Sequence, residues 1–160
     1  MKTVEELLKG HPFFDGMREE HLQTLSACGD TVQFASRETI FREGEEANLF
    51  YIILLGKVAV DIQASHRGSI TIQTIDAGEI LGWSWLIPPY KWRFNAKAVE
   101  NTSAIVMDGR CLRGKFEQDS RLGYELFRRF AQVFSKRLEY TILQLLDLYC
   151  ANPMKKTKIF

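Results

Sequence analysis

Apolar positions along the chain change period twice. In residues 1–29 Val4, Leu7 and Leu8 share one helical face, and Arg18–Cys28 places Leu22, Leu25 and Ser26 at the same spacing. Between them His11-Pro12-Phe13-Phe14-Asp15-Gly16 reads as a turn whose aromatics can plug a core edge, and Gly29-Asp30 closes the helical part. From residue 31 to 108 the period falls to two. Val32, Phe34, Ile40-Phe41, Phe50-Tyr51-Ile52-Ile53, Val58, Val60, Ile62, Ile70, Ile72, Ile75 and Ile105-Val106 lie in short runs, punctuated by Gly44, Gly56, Gly68, Gly78, Gly82 and Gly109. Short strands at regular spacing predict a small barrel or sandwich. Tight turns are expected at Gly56-Lys57 and at Ser65-His66-Arg67-Gly68.

From Cys111 the period returns to 3.6. A short helix is predicted over Leu112–Gln118, and Asp119 or Ser120 can cap a long one through Tyr149. Along it Phe127, Ala131, Phe134, Leu138, Thr141, Leu145 and Leu148 recur at alternating steps of four and three, with Arg121, Arg128, Arg129, Lys136, Arg137 and Glu139 mostly flanking them. A heptad-like seam longer than a small barrel needs for cover predicts a homodimer interface; otherwise the whole stripe packs on its own barrel. Asn152-Pro153 is the expected stop, followed by a basic tail, Met154–Phe160. The parts are therefore a helical segment at 1–29, a β-unit at 30–109 and a helical end at 110–160, within one domain of mainly β character with flanking helices.

Composition narrows the function. Among 160 residues, 21 Lys+Arg against 20 Asp+Glu leave a net charge of +1, without the basic excess of a dedicated nucleic-acid binder. The uncharged stretch within 81–91 is broken by Gly82 and Pro88-Pro89, so no bilayer-spanning helix is expected. MKTVEELLKG carries no apolar signal region, and a cytoplasmic chain without membrane partners is the reading. Cys28, Cys111 and Cys150 are scattered without a C-x-x-C pair and read as free thiols. His11, His21 and His66 have no metal-ligand spacing. No nucleophile–base constellation supports catalysis; Glu19-Glu20 and Glu45-Glu46 read as surface charge.

Two segments carry more information. Thr39-Ile40-Phe41-Arg42-Glu43-Gly44-Glu45-Glu46-Ala47, the aromatic strand Phe50-Tyr51-Ile52-Ile53 and the closing Gly56 resemble the cyclic nucleotide-binding domain family, to which bacterial catabolite activator and the regulatory subunits of protein kinase A belong. The likeness extends to the order helix, roll, helix, and implies a double-stranded β-helix, a jelly-roll-like β-roll. The second family element is a phosphate-binding cassette of the form Gly-Glu-x-apolar-Gly-Glu-x-Ala-Leu, a short helix, then Arg-x-Ala. Here it reads Gly78-Glu79-Ile80-Leu81-Gly82-Trp83-Ser84-Trp85-Leu86, and ends Lys91-Trp92-Arg93-Phe94-Asn95-Ala96.

The resemblance implies an anion cradle at Gly82, Trp83 and Ser84, where a helix start offers amide donors, closed by Arg93. Glu79, Trp85, Lys91, Trp92 and Asn95 are further candidate contacts. Trp83 stands where the family has the glutamate that binds the ribose hydroxyl, and an indole only donates. Ten residues on from Gly82 lies Trp92, eleven on lies Arg93, and strand alternation sends the two to opposite faces. The expected function is a regulatory sensor that binds cAMP, cGMP or another anionic effector and signals to a partner protein through a dimerising C-terminal helix. Relatives that regulate transcription continue into a helix-turn-helix, for which about ten residues after the long helix are too few, so direct DNA binding is not expected. Two other readings stand beside it: a ligand-free interaction module plugged by its tryptophans, and a haem or acyl-lipid sensor using Trp83, Trp85, Tyr90, Trp92 and Phe94 as an apolar pocket. The long-helix face bearing Tyr140, Gln144 and Asp147 is a possible lid.

Overall fold

The computed structural model describes residues 1–151 and divides into two units, Met1–Gly123 and the part from Tyr124 onward. In the first, helix α1 (Val4–Lys9) begins with a capping box: the Thr3 hydroxyl accepts from the Glu6 amide and the Glu6 carboxylate accepts from the Thr3 amide. A single 3-10 turn over Pro12–Phe14 leads to α2 (Glu19–Ser26). Leu8, Leu22 and Leu25 are buried, as the 3.6 spacing predicts.

Eight strands follow: β1 (Gly29–Phe34), β2 (Thr39–Phe41), β3 (Leu49–Leu55), β4 (Lys57–Ala64), β5 (Gly68–Asp76), β6 (Ile80–Leu81), β7 (Asn95–Ala98) and β8 (Thr102–Asp108). They form two four-stranded antiparallel sheets, in the orders β1-β8-β3-β6 and β2-β7-β4-β5. The run Phe50-Tyr51-Ile52-Ile53 is buried on both faces of β3. Tyr51 and Ile53 enter the core with Phe41, Val58, Val60, Ile75, Leu81 and Trp92, while Phe50, of opposite parity, stacks on Trp85 at 4.9 Å. The turn at Gly56 admits no side chain: with φ +97°, a Cβ there would lie 2.5 Å from Thr102 Oγ1 and 2.6 Å from the Asn101 carbonyl.

Helix α3 (Gly109–Gln118) is capped by Asp108, whose Oδ1 accepts from the Cys111 amide at 3.0 Å. It starts earlier than its apolar positions suggest, because the cap lies at the end of β8. Helix α4 (Ser120–Ala151) is capped by Asp119, whose Oδ1 accepts from the Arg121 and Leu122 amides at 3.0 and 3.2 Å. These bonds, with His21 beside it, hold the Asp119 carboxyl below its ordinary value. The expected stop at Asn152-Pro153 and the basic tail lie outside the described residues.

The cysteine reading needs correction. Cys28 and Cys111 form a disulfide across 83 residues of sequence, with Cα atoms 5.7 Å apart, and only Cys150 is free and exposed. Antiparallel pairing of β1 with β8 sets Gly29 opposite Met107, and the Asp108 amide donates to the Cys28 carbonyl at 2.8 Å. Linear spacing carries no trace of this adjacency.

In the second unit, Glu125 accepts from Arg128 and Arg129, the Arg129–Glu125 contact being 2.8 Å. Much of the seam is exposed in the single chain: Phe127 at 47%, Leu138 at 61%, Leu145 at 49% and Leu148 at 68%. Tyr140, Gln144 and Asp147 are also exposed.

Candidate functional site

The cassette is shaped by two short backbone pairings. Ile80 and Leu81 pair with Ile52 and Tyr51 of β3, which delivers Gly82 to the mouth of the roll with φ +92°. At the other end residues 90–92 pair with the β2–β3 loop: the Ala47 amide donates to the Tyr90 carbonyl at 2.7 Å, Trp92 to Glu45 at 3.0 Å and Gly44 to Trp92 at 2.9 Å. These bonds fix parity. Trp92 turns inward and is 6% exposed, while Lys91 and Arg93 on either side are exposed.

The inward position is filled by the indole. Trp92 stacks face to face on Phe41, with ring centres 3.7 Å apart and planes 5° apart. Its six-membered ring presses on Gly82 so closely that a Cβ there would lie 2.8 Å and 2.9 Å from it. Tyr51 stacks on Phe41 at 6.4 Å and meets Phe34 edge-on at 5.7 Å. Burial pushes its phenol up to about 12, so it stays neutral. Among the described residues the buried polar side chains are His11, His21, Ser84 and Thr102, so no lysine or arginine reaches the interior.

Each predicted contact has a definite place. Arg93 is exposed and, among the described residues, its side chain makes no hydrogen bond or ion pair. The guanidinium expected to close over an anion therefore lies on the outer face. Lys91 is exposed too, with Nζ 3.5 Å from the Gly44 carbonyl. Asn95 Oδ1 accepts from the Glu43 amide at 2.9 Å, which ties β7 to the loop before β3. Glu79 accepts from the Asp76 amide at 2.8 Å and serves a turn.

The expected helix after Gly82 is one 3-10 turn over Ser84–Leu86 with half-buried Trp83 at its cap position and no side-chain cap bond. Ser84 is buried within this turn. Three residues align few amides and carry little dipole. The aromatic residues do not form one pocket either. Trp92 joins the roll core, with Phe94 packed beside it, whereas fully buried Trp85 sits between Phe50 and Phe116 of α3.

Arg113 was not foreseen. Its guanidinium donates to the Trp85 carbonyl at 2.6 Å and to Asn48 Oδ1 at 3.3 Å, and lies 4.1 Å over the Tyr90 ring. Arg110 pairs with Glu46 at 3.1 Å. Thus α3 clasps both the cassette and the β2–β3 loop. Arg113 lies 28 residues from Trp85 and 65 from Asn48, and no local pattern links them. Among the described residues no cluster of three His, Cys, Asp or Glu could hold a metal, and no helix is long and apolar enough to cross a membrane.

Residues 31–119 match the cyclic nucleotide-binding domain family. A CRP-like cAMP-activated global transcriptional regulator of Mycobacterium tuberculosis is 25% identical over 145 residues, which is 91% of this chain and 63% of that protein. The chain thus spans less than two thirds of that relative's length. Among solved structures, a cyclic nucleotide-binding protein of Geobacter metallireducens superposes with TM-score 0.76 and 26% identity, over 86% of this chain and 99% of that one. A cyclic nucleotide-binding domain from Methylobacillus flagellatus gives TM-score 0.78 at 19% identity, over 99% and 85% of the two chains.

Proposed function

From the premise that the chain belongs to the cyclic nucleotide-binding domain family, we propose that it is a regulatory β-roll whose ligand place is taken by its own Trp92, and that it acts without a bound cyclic nucleotide, as a homodimer joined along α4. The observation that carries this reading is the Trp92 indole lodged between Gly82 and Phe41. For a cyclic nucleotide to enter, the ring must leave the core, a loss on the order of 3–5 kcal/mol for a buried tryptophan. A phosphodiester inside would also need a cation. Turning Arg93 inward shifts the register by one residue and breaks the hydrogen bonds of Trp92 with Glu45 and Gly44. The exposed leucines of α4 favour self-association as the way the module presents itself to a partner protein. Division of the aromatic residues between two sides of β3 argues against the haem or acyl-chain reading.

The test is a calorimetric and thermal-shift titration with cAMP and with cGMP, monitored in parallel by tryptophan fluorescence. No heat, no rise in Tm and no change in emission are expected, and Arg93→Ala should behave as wild type. Binding of either nucleotide tighter than about 10 μM, with a raised Tm, overturns the reading and means that Trp92 swings out.

A further inference from the structure

We propose that the Cys28–Cys111 disulfide is a reversible redox element, opened by small neutral thiols in the folded protein, and that its state is relayed by α3 to Trp85 in the cassette. This stands apart from the nucleotide reading. The two cysteines are held together by the backbone as well as by the bond. The Asp108 amide donates to the Cys28 carbonyl at 2.8 Å, and Asp108 Oδ1 accepts from the Cys111 amide at 3.0 Å. After reduction the thiols would remain neighbours, so closing again needs no conformational search.

A surface groove of about 270 Å³ opens on the bond, walled by Leu49 and Val106 and flanked by the Asp30 and Asp108 carboxylates. Cys111 is half-buried whereas Cys28 is 6% exposed; the Cys111 sulfur is therefore the one an incoming thiol reaches. Both carboxylates are fixed by backbone amides, and their charge disfavours a thiolate that carries further negative groups, as glutathione does, over one whose only charge is on its sulfur.

The chemistry balances with two equivalents of thiol, RSH. The thiolate RS⁻ attacks the Cys111 sulfur, forming an RS–Cys111 mixed disulfide and releasing Cys28 as thiolate, which takes up a proton from water. A second RS⁻ attacks the R sulfur of the mixed disulfide. RSSR leaves, and the Cys111 thiolate, in the first turn of α3, is released and protonated. Two RSH are oxidised and one protein disulfide is reduced; excess RSSR runs the sequence backward.

The relay follows from α3. Gly109, two residues before Cys111, touches the Trp85 ring so closely that a Cβ would lie 2.9 Å from it. Arg113, two residues after, holds the Trp85 carbonyl at 2.6 Å and covers Tyr90. Breaking the bond removes the covalent tie between the first turn of α3 and Cys28, just before β1, and loosens the clasp on both sides of Trp85.

The experiment uses the full chain carrying Cys150→Ser, so that only the pair reports. It is exposed in native buffer to 2-mercaptoethanol or to reduced glutathione, with alkylation mass, far-ultraviolet circular dichroism and tryptophan emission followed together. Two alkylatable thiols should appear while secondary structure is kept, several-fold faster with neutral 2-mercaptoethanol than with glutathione. Emission should shift in step and recover on addition of oxidised 2-mercaptoethanol. Cys111→Ser should show the reduced emission permanently; should that variant not fold, the wild-type time course decides alone. Thiols that appear only as the protein unfolds overturn the proposal in favour of a static staple. Isolated protein with two thiols that no oxidant can pair overturns it as well. Reduction without an emission shift overturns the relay.

Discussion

At the scale of single residues, the contact between Gly82 and Trp92 decides what the roll interior contains. Gly82 has φ +92° and meets the indole at a distance no side chain tolerates. Gly82→Ala should therefore cost about 2–4 kcal/mol, from left-handed strain together with overpacking, and Trp92→Ala about 3–5 kcal/mol. Replacing Trp92 by Phe shortens the ring that the new methyl strikes. The Gly82→Ala/Trp92→Phe pair should consequently be less unstable than the sum of its parts. Urea denaturation of the four proteins measures this, and strict additivity would mean that the two residues do not touch. That a glycine was needed here could be read from the sequence, since the family motif contains it. Its neighbour could not be, because ten and eleven residues onward were equal candidates until the pairing of residues 90–92 with the β2–β3 loop set their parity.

At the scale of elements, α4 joins a well-capped start to an exposed apolar stripe. Asp119 supplies the cap, and Leu138 and Leu145 lie seven residues apart on one face, 61% and 49% exposed. A seam of this kind finds cover in a second copy. Light scattering after size-exclusion chromatography should give a dimer for the wild type and a monomer for Leu138→Glu/Leu145→Glu, with unchanged circular dichroism per residue. A wild-type monomer at micromolar concentration would remove α4 from the proposed mechanism. The helix itself was legible because its period repeats over many residues. The cassette helix was not legible: its segment has Pro88-Pro89 near the end and aromatic rather than capping residues at the start, and it yields a three-residue turn. The same limit applies to α3, whose role as a clasp depends on Arg113 reaching partners far away in the chain.

At the scale of the whole molecule, stability depends on histidine as well as on apolar burial. His11 is 4% exposed and its Nδ1 accepts from the Phe13 amide; burial pushes its imidazole below the ordinary 6.5. The unfolded chain takes up this proton near pH 6.5 and the folded chain does not. Stability is thus full above that pH and declines as pH falls below it. His11→Asn keeps an acceptor at the cap and removes the titration. Between pH 6.5 and about 5, above the carboxylate range, Tm should fall less steeply in the variant than in wild type. Parallel slopes would show that His11 is not the group responsible. What the sequence determined is the order helix, roll, helix, most strand positions and the reach of α4, because each is written in local period, turn glycines and caps. What the tertiary structure alone decided is which side chain occupies the roll, where the arginines point and which cysteines meet. Those outcomes turn on a one-residue register and on strand pairing between distant segments, and neither leaves a periodic mark on the chain.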